Sequence, residues 1–186
     1  MARSPKTSLS EDARKRIDGA RVARLATSSR RGEPHVVPLC FARSGRRIYF
    51  VVDEKPKRTR TGLRRLRNIA ENPRVAFLVD FYDEDWDRLA YVLVRGRAAP
   101  VREAREWRRA VALLRRRYPQ YRRMPLEFSR NPVVRIEVEK VHTWSAGGPK
   151  TGEAPRARAR ARRGEKESLP RSRRRRTAKT VEPKPP

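Results

Sequence analysis

The constraint that bears hardest on this chain is a succession of short apolar runs, each closed within a few residues by glycine, proline or clustered charge. Val22, Arg24 and Ala26 alternate with Ala23, Leu25 and Thr27, and SSRRGEP follows as a turn punctuated by Gly32 and Pro34. The next run, residues 35–42 (HVVPLCFA), contains Pro38, which donates no ladder hydrogen bond and so places the strand at an edge or beside a bulge. After Ser44 and Gly45, residues 47–53 (RIYFVVD) are apolar on both faces and ask for cover on both sides. Residues 74–80 (RVAFLVD), 89–99 (LAYVLVRGRAA) and 133–144 complete the set. Gly96 marks a bulge, and the alternation of Val134, Ile136 and Val138 loses phase near Lys140, where a bend is expected. Strands of this length, mostly antiparallel and with few helices between them, predict a mainly β chain closed as a β-barrel rather than a stack of βαβ units.

Helical signals are fewer. Ser10 before Glu11, Asp12 and Ala13 reads as a capped helix start, and Gly19 as its end. Leu63, Leu66 and Ile69 (or Ala70) share one face of a second helix, with Thr59 or Thr61 as candidate cap and Asn72-Pro73 as its stop. Residues 101–118 form a third, with Trp107, Val111 and Leu114 on one side. Residues 122–131 show no period, and FYDEDWDR is an acidic loop.

Charge divides the chain. Of 186 residues, 49 are Lys or Arg against 21 Asp or Glu, a formal net charge of +28 that attracts polyanions without naming one. Beyond Gly147-Gly148, alternating Arg-Ala and scattered proline leave too little apolar surface to offset the entropy of ordering. The expected organisation is a flexible N-terminus over residues 1–12, a cofactor-binding barrel over 13–145 and a disordered Arg-rich tail over 146–186. A single cysteine, Cys40, excludes an intrachain disulfide and reads as a small buried hydrophobe. The N-terminus has no apolar targeting core and no stretch reaches transmembrane length, so a soluble cytoplasmic protein is expected. Apolar runs 47–53 and 74–80 in so small a domain further suggest that a second subunit covers one outer face, making a homodimer.

No metal spacing, nucleophile elbow, phosphate-binding glycine loop or triad spacing is present, and the two histidines, His35 and His142, lie far apart in sequence. Asp80, Asp83, Glu84, Asp85 and Asp87 cluster without the glycine of a calcium loop and read as solvated. The strongest chemical signal is EKPKRTRT, residues 54–61, between a buried strand and a helix. Lys55, Lys57 and Arg58 beside free helix-start N–H groups make an anion site, and Arg65 lies one to two turns inside. From spacing alone this segment reads equally as a phosphate clamp or as a charged turn.

In order and spacing, VARLATSSRRGEPHVVPLCFA, IYFVVDEKPKRT, LRNIAENPRVAFLVDFYDEDW and YVLVRGRA resemble the pyridoxamine 5′-phosphate oxidase-like split-barrel family. The likeness runs over residues 17–144, leaves the tail outside, and is strongest to the branch that uses the deazaflavin coenzyme F420. It implies a split β-barrel homodimer with two cofactor sites at the subunit interface. It assigns the cofactor phosphate to Lys55, Lys57 and Arg58, with Arg65 in reach, and sets the ring system near His35, Val36, Val37 and Pro38. Thr27 and Asn68 match positions close to the site. The implied activity is hydride transfer between reduced F420 and a small unsaturated or quinone-like substrate, the cofactor supplying the bond-making chemistry. A flavin mononucleotide (FMN)- or haem-binding protein of the same fold is the alternative, and a nucleic-acid-binding protein acting through the basic tail is the alternative of another class. The stretch ending HTWSAGG lacks the Arg-x-His substrate-phosphate signature of the vitamin-salvage oxidases, and the spacing from KPKR to the helix is longer than in flavin-binding members.

Overall fold

The computed structural model describes residues 9–53 and 63–148; Lys55, Lys57, Arg58, Thr59, Thr61 and the tail from 149 onward lie outside the described residues. Seven antiparallel strands, β1 (Ala23–Ser28), β2 (Pro34–Leu39), β3 (Ala42–Ser44), β4 (Arg47–Val51), β5 (Arg74–Phe81), β6 (Ala90–Pro100) and β7 (Val133–Ser145), are joined in the order β2-β1-β5-β6-β7-β4-β3. The sheet curls into a half-barrel, and three helices, α1 (Glu11–Gly19), α2 (Arg64–Glu71) and α3 (Ala104–Arg117), pack against it. The mainly β, split-barrel expectation holds.

The run over 35–42 divides into β2 and β3, and each becomes an edge of the sheet. Pro38 is tolerated because β2 pairs only with β1. The bulge at Gly96 and the bend near Lys140 are one feature: Arg95 pairs with Lys140 and Gly96 with Val138, so Glu139 is the extra residue. A Cβ at position 96 would lie 2.3 Å from the Glu137 carbonyl oxygen, so only glycine lets the strands approach there.

Two cores share strand β4. Ile48 and Phe50 face the barrel interior with Leu25, Phe41, Phe77, Val92, Val94 and Ile136, while Ile17 of α1 and Ile69 of α2 close its ends. Tyr49 and Val51 face the other way and pack under Trp107, Ala110, Val111 and Leu114 of α3. The chain's own helix therefore covers the apolar strand expected to need cover on both sides. On β5, by contrast, Val75, Phe77 and Val79 are buried, but Ala76 and Leu78 on the outer face stay half-buried. The packed region begins at Leu9, ahead of the expected start at Ala13. Ser10 caps α1, accepting a hydrogen bond from the Ala13 N–H. The second helix starts at Arg64, with Leu63 at its cap position and no side-chain cap hydrogen bond there; the expected caps Thr59 and Thr61 lie outside the described residues.

Candidate anion and cofactor site

Strand β4 runs into Val52 and Asp53, and the backbone there is fixed from the side. Val52 N–H donates to the Pro132 carbonyl at 2.9 Å, and the buried Asn131 amide donates to the Val52 carbonyl at 3.2 Å. Asn131 also accepts from Glu127 N–H, and its carbonyl takes the Trp107 indole N–H at 2.8 Å, so one polar residue ties the strand end to α3. The Tyr121 hydroxyl donates to Asp53 at 3.4 Å. Burial, with the adjacent Asp53 carboxylate, raises the Tyr121 pKa, so the phenol stays protonated and remains a donor.

Helix α2 is set on the sheet by polar contacts as well as by Ile69. The Asn68 amide donates to the Thr27 hydroxyl at 3.1 Å, both residues being buried, and Thr27 donates in turn to the His35 carbonyl at 3.4 Å. Asn72 donates to the Ser28 hydroxyl at 2.9 Å, and Arg64 pairs with Glu33 at 2.6 Å. Thr27 and Asn68, singled out by the resemblance, thus hold α2 against β1.

Arg65 follows Arg64 in the first turn of this uncapped helix. Its side chain is half-buried, and its Nε has no hydrogen-bond partner among the described residues. Burial lowers its pKa, while the charges of Asp53 and Tyr121 act in the opposite direction. A desolvated guanidinium with spare donor capacity, at a helix start that carries no acid, is the arrangement an anion satisfies. The residues present fit a phosphate-bearing cofactor here.

The four predicted residues of β2 fall on two faces. His35 and Val37 lie opposite Thr27 and Leu25 and are half-buried, whereas Val36 and Pro38 are exposed on the outside, Val36 by 58%. Strand alternation therefore lets a flat ring on one face touch one pair and not the other. Tyr121, Asp53 and Asn131 were not singled out from sequence. Two of them lie in or beside a stretch without periodicity, and only the folded chain brings them to the end of β4.

No group of three or more His, Cys, Asp or Glu is placed to hold a metal among the described residues. In the acidic loop, Asp83 and Asp85 side chains accept from the backbone N–H two residues on, which is turn chemistry. His142 lies on the outer face, in a groove of about 460 Å³ with Tyr91, Leu93, Arg95, Lys140 and Val141.

The fold is a seven-stranded half-barrel with a half-buried arginine, Arg65, as a candidate anion contact at the start of its second helix. The chain belongs to the pyridoxamine 5′-phosphate oxidase family, whose model matches residues 9–145. A conserved hypothetical protein from Mycobacterium tuberculosis has the same fold at 21% identity and a TM-score of 0.59, covering 83% of this chain and 99% of that one. A FAD-binding protein from Mesorhizobium loti matches at 25% identity and 0.55, covering 73% and 94%. A heme-binding protein from Mycobacterium smegmatis matches at 22% and 0.60, covering 80% of this chain and 57% of its own. No curated protein matches the sequence.

Proposed function

We propose that this protein is an oxidoreductase that binds the deazaflavin coenzyme F420 and moves a hydride between the reduced coenzyme and a small unsaturated or quinone-like molecule. The observation that carries the reading is Arg65, half-buried at the start of α2 with its Nε unpartnered among the described residues. Lys55, Lys57 and Arg58 precede it in sequence and supply the remaining cations. That concentration of positive charge suits a coenzyme whose phosphodiester and glutamate tail carry more negative charge than FMN. When bound, such a coenzyme supplies two electrons as a hydride.

The chain's own residues then have three tasks. Arg65, with Lys55, Lys57 and Arg58, binds the phosphate; Asp53 and Tyr121 orient the Arg65 guanidinium; and β2 offers either His35 and Val37 or Val36 and Pro38 as a wall for the ring. The absence of an acid–base triad in the sequence accords with this division of labour. FMN is the second reading, favoured by the M. loti FAD-binding relative, and haem is the third, favoured by the M. smegmatis relative.

A homodimer belongs to the proposal. Ala76, Leu78, Tyr91 and Leu93 make a half-buried strip on the outer sheet face, with exposed Val36 and Trp144 at its flanks. A second copy would bury that strip. No described helix is long and apolar enough to cross a membrane.

Fluorescence titration of the full-length protein with F420 and with FMN tests the cofactor assignment. Tight F420 binding, lost in the Lys57→Ala, Arg58→Ala double variant, is the expected result. Binding of FMN alone shifts the assignment to a flavoprotein, and binding of neither removes the oxidoreductase reading.

A further inference from the structure

Helix α3 carries six arginines and one acid, Glu106, and it sorts them by face. Glu106 points inward: it accepts from Arg135 at 2.8 Å and from the Tyr49 hydroxyl at 2.9 Å, with Arg47 at 3.6 Å. Burial alone would raise its pKa, but the hydrogen bonds from Arg135 and Tyr49 outweigh that and hold it low, so the carboxylate is fully committed to the sheet. Arg115 and Arg117 are also committed, donating to carbonyls of Tyr121 and Met124 and of Ile17 and Ala20 respectively.

The other four, Arg105, Arg108, Arg109 and Arg116, are exposed and have no carboxylate or carbonyl partner among the described residues. At 100° per residue they fall within a stripe about 100° wide. Elsewhere on the described surface Lys15, Arg16, Arg24, Arg43, Arg64 and Arg88 each have an acid; Arg30, Arg31, Arg67, Arg74, Arg97 and Arg102 are exposed without one among the described residues, but they are not aligned along one helix face. Beside the stripe, between α3 and strands β4 and β7, a cleft of about 400 Å³ is lined by Arg47, Arg105, Arg109 and Arg135 together with Tyr49, Glu103 and Glu106.

We propose that the outer face of α3 and this cleft form a docking surface for the sugar–phosphate backbone of duplex nucleic acid, separate from the cofactor site and from the basic tail. The geometry supports a backbone rather than a small anion. Arg105 to Arg116 spans about 17 Å along the helix, a length over which duplex DNA presents roughly ten phosphate charges. No aromatic ring lies in the stripe to stack an unpaired base. Recognition is therefore by charge and without sequence preference.

The test is the salt dependence of binding of full-length protein to a labelled mixed-sequence duplex, read by fluorescence anisotropy between 50 and 200 mM salt. The tail contributes equally in every variant and cancels from the comparison. Arg105, Arg109 and Arg116 all changed to alanine should lower the slope of log K against log salt by about 2.7, at about 0.9 per lost phosphate contact. Wild type then loses about 40-fold more affinity than the variant over that range. The same three positions changed to lysine should restore the slope, which separates lost charge from lost folding. A control with Arg30, Arg31 and Arg97 changed to alanine should lower it by less than one. The proposal is overturned if wild type does not bind duplex, if the stripe variant keeps its slope, or if the control falls as far. Binding to anionic phospholipid vesicles with none to duplex overturns it as well.

Discussion

Replacing Arg65 with methionine keeps most of the side chain's length and apolar stem but removes its charge and its donors. In the cofactor-free protein the guanidinium is partly desolvated and its Nε is unpartnered among the described residues. An unsatisfied buried donor costs about 1–3 kcal/mol, which the substitution relieves. Against this stands the lost attraction to Asp53, a charge that keeps the Tyr121 hydroxyl as its donor; ion pairs in partly solvated settings contribute about 0–1 kcal/mol. The lowered pKa agrees in sign, because a cation that the fold disfavours costs stability at every pH where it is charged, neutral pH included. The net expectation is a stability change between zero and about +3 kcal/mol, a melting temperature unchanged or higher by several degrees. Binding should move the other way. A charge-assisted hydrogen bond to phosphate is worth about 1.5–3 kcal/mol, so F420 should bind roughly 10- to 150-fold more weakly. Thermal melts of the cofactor-free variant and fluorescence titration of F420 measure the two quantities separately. A melting temperature lowered by more than about 4 °C with unchanged affinity would refute the reasoning, since Arg65 would then be a structural residue.

Three further substitutions probe the scaffold. Tyr118→Phe leaves the Phe41 N–H and the Arg21 carbonyl without the hydroxyl that now bridges them at 3.1 and 2.8 Å; a loss of about 2–4 kcal/mol is expected in urea unfolding. Gly96→Ala drives a methyl into the Glu137 carbonyl and should cost at least about 1–3 kcal/mol by the same assay, with amide exchange accelerated along β6 and β7. Glu106→Gln should flatten the acid limb of the stability curve. A depressed carboxyl pKa contributes stability that is present above the unfolded value, near 4.5, and lost as pH falls through the lower folded value. An unchanged slope of melting temperature against pH below 4.5 would count against that role.

The parts of the fold legible from sequence are those in which local chemistry and tertiary position agree. Pro38 announced an edge because a missing N–H is tolerable only there, and Gly96 with the phase loss at Lys140 announced one bulge from its two strands. Apolar residues on both faces of 47–53 announced double cover but not its source, because periodicity does not say whether the cover is a helix or a subunit; it is α3. The start of α2 was not legible because Leu63, which holds the cap position, has no side-chain acceptor to signal a helix start. In the site, Arg65 was visible from its spacing after the charged run. Tyr121 and Asn131 were not, since their positions depend on contacts with residues 79 and 68 places away along the chain.

The excess of arginine has to be partitioned before it says anything about function. One set is structural: Arg117 satisfies the last carbonyls of α1 while its guanidinium lies 4.7 Å from the Phe41 ring centroid, and Arg115 holds the turn around Tyr121 and Met124. Arginine suits that work because its planar fork donates in several directions while its face stacks on a ring. A second set is neutralised, as in the square formed by Arg47 and Arg135 with Glu106 and Glu137, where each charge has two opposite neighbours. Both sets already have partners within the fold, so a net charge of +28 overstates the described domain's appetite for anions. Outside both sets stand Arg65 at the start of α2 and the stripe on α3, besides exposed arginines such as Arg30, Arg31 and Arg97. Arg65 and the stripe differ in kind: the first is a single half-buried guanidinium, proposed to meet one phosphate, whereas the second is exposed and extended, proposed to meet a repeating charge. On the two proposed assignments a cofactor and a polyanion occupy different arginines, so F420 affinity is expected not to change when duplex is added, which a titration with and without duplex measures.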